Sequence, residues 1–185
     1  MFKMPSPRST KGFTAIELLV TIAILGVLAA IAAPSFKPLI ERWKVRQVTE
    51  ELQSTFYVAR SEAIKRGGGI TILRSGNTTD CTTVGSDTSL WSCGWTVFVD
   101  TNNDGKQDSG EDTLQTIALP SKVSVKLTGI SEPTLIKVDR WGQLSAANAA
   151  IELKGSSEAQ ASTSSMCISS TGRIYTPDTG STSCS

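Results

Sequence analysis

The chain has 185 residues, with 18 Lys/Arg against 17 Asp/Glu and no histidine. That length holds one domain plus an appendage. The missing histidine removes the commonest general base and the commonest metal ligand together. With no serine nucleophile elbow and no phosphate-cradling glycine loop, an enzyme is the least expected class.

Lys3, Arg8 and Lys11 make residues 1–12 a basic leader. The 21 residues from Phe13 to Ala33 then contain only Thr14, Glu17 and Thr21 as polar members. As a helix this run is about 30 Å long, the thickness of a bilayer core. It exceeds the shorter apolar region of a removable signal, so the expectation is a retained span over residues 13–34. Positive charge ahead of a first span leaves the N-terminus in the cytoplasm and the remainder outside it. A carboxylate within such a run is costly and marks Glu17 as a functional candidate.

Pro34 and Pro38 follow, and proline within a helix bends or melts it locally. Val45, Val48, Leu52, Phe56, Ala59 and Ala63 then recur at steps of three and four, an amphipathic stripe over residues 35–66 that ends at Gly67–Gly69. One long helix is expected from about Phe13 to Arg66, kinked near Pro34.

Residues 67–185 form a separate head of short alternating runs. "KVSVKLT" (Lys122 to Thr128) is the clearest strand, and "GWTVFVD", "TLQTIAL", "TLIKV", "AIELK" and "RIYT" are further candidates. Ser156 to Ser165 reads as a loop. The expected fold class is α+β, an antiparallel sheet packed on the second half of the helix. Cys81, Cys93, Cys167 and Cys184 allow three pairings. Two local pairs in an oxidising compartment are the simplest arrangement, with zinc as the rival.

The segment "DTNNDGKQDSGE" fits the calcium-loop pattern D-x-[DN]-x-[DN]-G-x5-E. Asp100, Asn102, Asp104, Asp108 and Glu111 would offer side-chain oxygens and Lys106 its carbonyl. Two readings compete: a structural calcium ion, or a charged turn in a hairpin that requires no cofactor.

A basic leader, Gly12, Phe13 and a glutamate four residues later together resemble the prepilin processing pattern of type IV pilins and type II secretion pseudopilins. The resemblance implies that a prepilin peptidase of the inner membrane cuts after Gly12 and methylates Phe13. It also implies that Glu17 pairs with the N-terminal amine of a neighbouring subunit during assembly. Opposite charges attract far more strongly in a low-dielectric bundle than in water. "ARSEAIKRG" (Ala59 to Gly67), "CGWTVFVDTNNDGKQDSGEDTL", "RWGQL" and "MCISSTGRIYT" resemble, in that order, GspH/FimT/FimU-type minor pilins. The resemblance implies a long helix against a small two-sheet β domain. It implies other pilin subunits as partners, and a place near a pilus tip or in a secretion pseudopilus.

Some members bind DNA through a Gly-Arg-x-Arg motif, which here reads Gly172, Arg173, Ile174, Tyr175. The second arginine is absent. Residues 67–185 carry eight Lys/Arg against twelve Asp/Glu, which opposes phosphate binding. The competing expectation is a patch of Arg173, Lys154, Arg140 and Lys137, with Tyr175 stacking on a base.

Overall fold

A computed structural model of the protein describes residues 12–32, 36–77, 79, 81–82, 84–156, 163–169, 171–177 and 184. The chain divides into two compact units, Met1–Lys37 and Pro38–Ser185. In the first, helix α1 spans Ala15–Ala32. It opens on a reciprocal cap. The Glu17 carboxylate accepts from the Thr14 backbone N–H and hydroxyl, both at 3.1 Å, while the Thr14 hydroxyl accepts from the Glu17 N–H at 3.2 Å. Such a capping box satisfies amides that a helix start leaves without partners.

Beyond the cap α1 is apolar on every side, with Ile16, Leu19, Ile22, Leu25, Leu28 and Ile31 all exposed. Its 18 residues run about 27 Å at the helical rise. Among the described residues no helix is long and apolar enough to cross a membrane. The apolar run in the sequence is longer than α1, extending to Phe13 at one end and Ala33 at the other. Ala33, Pro34 and the leader through Lys11 lie outside the described residues, and so does the expected kink.

Helix α2 spans Lys37–Arg66, so the described residues give the helix expected from Phe13 to Arg66 as two segments on either side of residues 33–35. Pro38 occupies the first turn, where a backbone N–H would have no helical partner anyway. Val45, Val48, Leu52, Phe56, Ala59 and Ala63 are all buried, as their spacing requires. Each large apolar side chain so covered stabilises the head by roughly 1.5–3 kcal/mol. Thr55 is buried on the same face, and its hydroxyl accepts from the Trp95 indole N–H at 3.0 Å. The helix ends where the Gly68 N–H bonds back to the Ala63 carbonyl at 2.7 Å, with Gly67 in the left-handed region.

Two antiparallel sheets complete the head. The first, in the order β3-β2-β1-β5, contains β1 (Ile70–Arg74), β2 (Trp95–Val99), β3 (Thr113–Ile117) and β5 (Leu135–Val138). The second, in the order β4-β6-β7-β8, contains β4 (Val123–Thr128), β6 (Ala150–Gly155), β7 (Thr163–Ile168) and β8 (Ile174–Tyr175). One core joins the α2 stripe to Ile70, Ile72, Trp95, Val97 and Ile136 of the first sheet and to Val125, Leu127, Ile151, Leu153 and Met166 of the second.

Two strands differ from the sequence expectation. Strand β1 was not among the candidates. It is the inner strand between β2 and β5, and Ile70, Thr71 and Ile72 are all buried, so no alternation marks it. The loop expected over Ser156 to Ser165 ends early, because Thr163, Ser164 and Ser165 pair with Lys154, Leu153 and Glu152 of β6. Residues 157–162 lie outside the described residues. The cysteines form the two local pairs, Cys81–Cys93 and Cys167–Cys184.

Candidate functional site

Three sequence signatures that are far apart along the chain meet around one side chain, Arg60 on α2. Its Nε donates to the Gly142 carbonyl at 2.7 Å. Gly142 lies in a turn after β5 built on Asp139, whose carboxylate accepts the Trp141 and Gln143 N–H groups at 2.8 Å. With φ at +75°, a Cβ on Gly142 would stand 3.1 Å from Ile64 Cδ1. On its other side the Arg60 guanidinium lies against Gly172, where any Cβ would collide with it. Gly172 belongs to the β7–β8 turn, closed from its N–H to the Ser169 carbonyl at 2.8 Å. Arg60 thus bonds to one turn and packs against the other, where Gly172 is what lets its guanidinium approach, while Gly142 makes room for Ile64.

The clamp leaves Trp141 76% exposed between Arg140 and Gly142. Arg173 lies 5.9 Å from the centre of the Tyr175 ring, in cation–π reach. Only part of the expected basic patch assembles here. Lys154 bonds to Glu152 at 2.8 Å and pairs with Thr163 at one end of β6. Tyr175 pairs with Cys167, which faces Ala150 at the other end. At the rise of a strand these ends are about 13 Å apart, so Lys154 does not join Arg173. Lys137, on the first sheet, gives its Nζ to the carbonyl and side chain of Asn103 at 2.6 and 3.1 Å. Arg140 and Arg173 lie in or beside the two turns that Arg60 touches.

At the end of α2, the Arg66 guanidinium beside Glu62, 2.8 Å away, holds that carboxyl below its ordinary range, with Lys65 adding to the effect. The pairs also set cations at the negative end of the helix dipole.

The acidic segment joins β2 to β3 as a hairpin tip. Asp100, the first oxygen donor of the calcium pattern, is buried. Its Oδ2 accepts from the Thr71 hydroxyl at 2.7 Å and the Gly105 N–H at 3.0 Å. Its Oδ1 is buried without a hydrogen bond. The other donors serve the loop's own backbone and side chains. Asn102 accepts the Asp104 N–H and donates to Asp108, and Asp104 accepts the Lys106 N–H. Glu111 accepts the Thr101 and Asp108 N–H groups at 2.7 and 3.1 Å. Those bonds, the one to Asp108 foremost, hold the Glu111 carboxyl below its ordinary range. Among the described residues no three His, Cys, Asp or Glu side chains gather as a metal site. The pattern's spacing is thus present, with most of its hydrogen bonds made within the loop and Asp100 Oδ1 buried without a partner.

In the first unit, Gly12 and Phe13 precede α1 without regular structure, and Phe13 is 84% exposed. Glu17 lies one turn further on, in the capping box. Thr14 was passed over in the sequence, although T-x-x-E just before an apolar run is the signature of that box. Arg60 had no comparable signal, because its partner Gly142 is 82 residues away.

Comparison with known proteins bears on both ends. The prokaryotic N-terminal methylation motif matches residues 7–33. The family model described as Type II transport protein GspH matches residues 48–172. Fimbrial protein EcpB of Eikenella corrodens is 45% identical over 60 residues, 32% of this chain and 36% of EcpB. A fimbrial protein of Pseudomonas aeruginosa is 40% identical over 60 residues, 32% of this chain and 38% of that one. The chain thus matches little more than a third of the length of these curated relatives. The crystal structure of the type IV minor pilin FimU of Pseudomonas aeruginosa aligns with a TM-score of 0.55 at 19% identity, over 80% of this chain and 99% of FimU. The minor pseudopilin EpsH from the Type 2 Secretion System of Vibrio cholerae aligns at 0.51 and 13% identity, over 75% and 99%. These likenesses show the same fold. Because the family match takes in well over half of its length, the chain belongs to the GspH family.

Proposed function

We propose that the chain is a filament subunit, cut after Gly12 by a prepilin peptidase, methylated at Phe13, and anchored by its first helix as a single span of the inner membrane until it joins other pilin subunits near a pilus tip. Pilins and pseudopilins are structural proteins and not enzymes. The observation that carries the reading is the methylation motif over residues 7–33 ahead of a helix whose large apolar side chains are all exposed. At roughly 1.5 kcal/mol or more for each such side chain, α1 needs a cover of lipid or of other helices. Glu17 then has two partners in turn, Thr14 in the lone chain and a neighbour's α-amino group in the filament.

Mass spectrometry of the chain from cells tests the processing, with a methylated Phe13 at the N-terminus expected. Glu17→Ala and Glu17→Gln separate the two roles of the carboxylate. Gln can still accept the cap's hydrogen bonds but cannot pair as an ion. Both variants are expected to enter sheared filaments at least about tenfold less than the parent, equivalent to ~1.4 kcal/mol. Normal incorporation of the Gln variant would reduce Glu17 to a cap.

A second reading, DNA capture, is favoured by one observation: Arg60 touches the turns that carry Arg140 and Arg173, with Trp141 exposed beside them. Fluorescence anisotropy with single-stranded DNA at two salt concentrations tests it. Salt-sensitive binding that is lost in Arg173→Ala supports capture. No binding at low salt leaves a scaffold subunit whose function lies in its protein neighbours. The same scaffold reading holds for a pseudopilus of type II secretion, and filament composition in the producing cell distinguishes the two.

A further inference from the structure

The first turns of α2 carry a second apolar surface, on the side away from the head's core. Leu39, Ile40 and Trp43 are 47%, 54% and 64% exposed. At 100° per residue they fall in one sector about 100° wide. Val45, Val48 and Leu52 occupy the opposite side and are buried. Arg42 and Arg46 project along one border of the apolar sector and Lys44 along the other. The nearby acids do not offset them equally. Glu41 projects towards the head and accepts a hydrogen bond from the Ser156 hydroxyl at 2.5 Å, while Glu50 is taken by Arg46 at 2.8 Å.

An indole and two aliphatic side chains between two rows of cations are the pattern of a helix lying in a membrane interface. The apolar wedge sinks to the headgroup boundary, and the long cationic side chains reach back to phosphates. Trp is favoured at that depth because its ring is apolar and its N–H is not. Cations beside the bilayer also gain from anionic lipid.

We propose that the Leu39–Arg46 turns of α2 rest on anionic phospholipid before assembly, with Trp43 at headgroup depth and Arg42 and Lys44 on lipid phosphates. This rests on the membrane-span reading of the preceding apolar helix. The contact holds the basic part of α2 to the bilayer until a neighbouring subunit replaces the lipid.

The test uses the full chain reconstituted in phosphatidylcholine vesicles with and without phosphatidylglycerol, in a Trp141→Phe background so that Trp43 is the exposed indole. Trp91 and Trp95 are buried and give a constant signal. Lipids brominated near the headgroup should quench Trp43 more than lipids brominated near the bilayer centre. The quenching should rise with phosphatidylglycerol. The rise should vanish in Arg42→Gln/Lys44→Gln, and all quenching in Trp43→Phe. Failure of the chain to float with vesicles of either composition would overturn the span and this proposal together. Flotation with unquenched Trp43 would overturn this proposal alone, and cross-linking between copies through a cysteine at position 43 would then assign the face to a second copy.

Discussion

Helices α1 and α2 follow one another in sequence and meet opposite demands. The side chains of α2 sort by side, so its Val45–Ala63 stripe finds a complete partner in the two sheets of its own chain. Those of α1 do not sort: apolar residues cover its whole circumference, and nothing in the described unit covers them. A helix with one apolar face can be satisfied within a monomer, whereas a helix apolar all round requires lipid or other helices. The carboxylates Glu62 and Glu17 follow the same division. Glu62 on α2 is matched by Arg66 and Lys65, whereas among the described residues Glu17 on α1 is held by the Thr14 cap.

This contrast can be broken most directly in the core of α2. Phe56→Ala removes the largest side chain of the buried stripe and is expected to destabilise the head by about 3–5 kcal/mol, read as a lower midpoint in thermal unfolding followed by circular dichroism. A change under about 1 kcal/mol would mean that the stripe is not what joins helix to sheets. Arg60→Ala should cost about 1–3 kcal/mol by leaving the Gly142 carbonyl without its donor. Arg60→Lys should not restore it, since an ammonium lacks the fork that reaches both turns.

A smaller effect is expected at the hairpin tip. The folded-state pKa of Glu111 is lowered from 4.5, so its contribution is present above that value and lost as pH falls through the lowered one. Protection of the Thr101 and Asp108 amides, corrected for the intrinsic pH dependence of exchange, should therefore be lost as pH falls below the ordinary carboxylate range, ahead of the core strands. Calcium should do least of all, with no change in melting temperature at millimolar concentration. A rise that Asp104→Ala abolishes would restore the calcium reading. Glu17→Ala should likewise leave unfolding of the head unchanged, since α1 and the head are separate compact units.

What the residues disclosed followed from local pattern. The α2 stripe has a period of 3.6, β4 alternates strictly, and Gly67–Gly69 end the helix, so each of these could be read from neighbouring positions. Strand β1 escaped because an inner strand buried on both faces has no alternation to display. Strand β7 escaped because its first half is Ser and Thr, residues that suit a loop or a strand depending on what lies beside them. The direction of the calcium pattern's oxygens was not legible, because spacing says nothing of direction, and Asp100 gives one of its oxygens to Thr71 on the neighbouring strand. The Arg60 clamp depends on contacts made only once the sheets are in place.

On the proposed reading of the chain as a filament subunit, the Cys167–Cys184 bond has a mechanical meaning. Strand β8 has only two residues and would peel from the sheet under little tension. A load applied beyond Cys184 bypasses β8 and reaches β7 through a covalent link. There it meets the β6–β7 ladder, in which Cys167 pairs with Ala150. The bond turns a weak edge into the place where a pull is distributed.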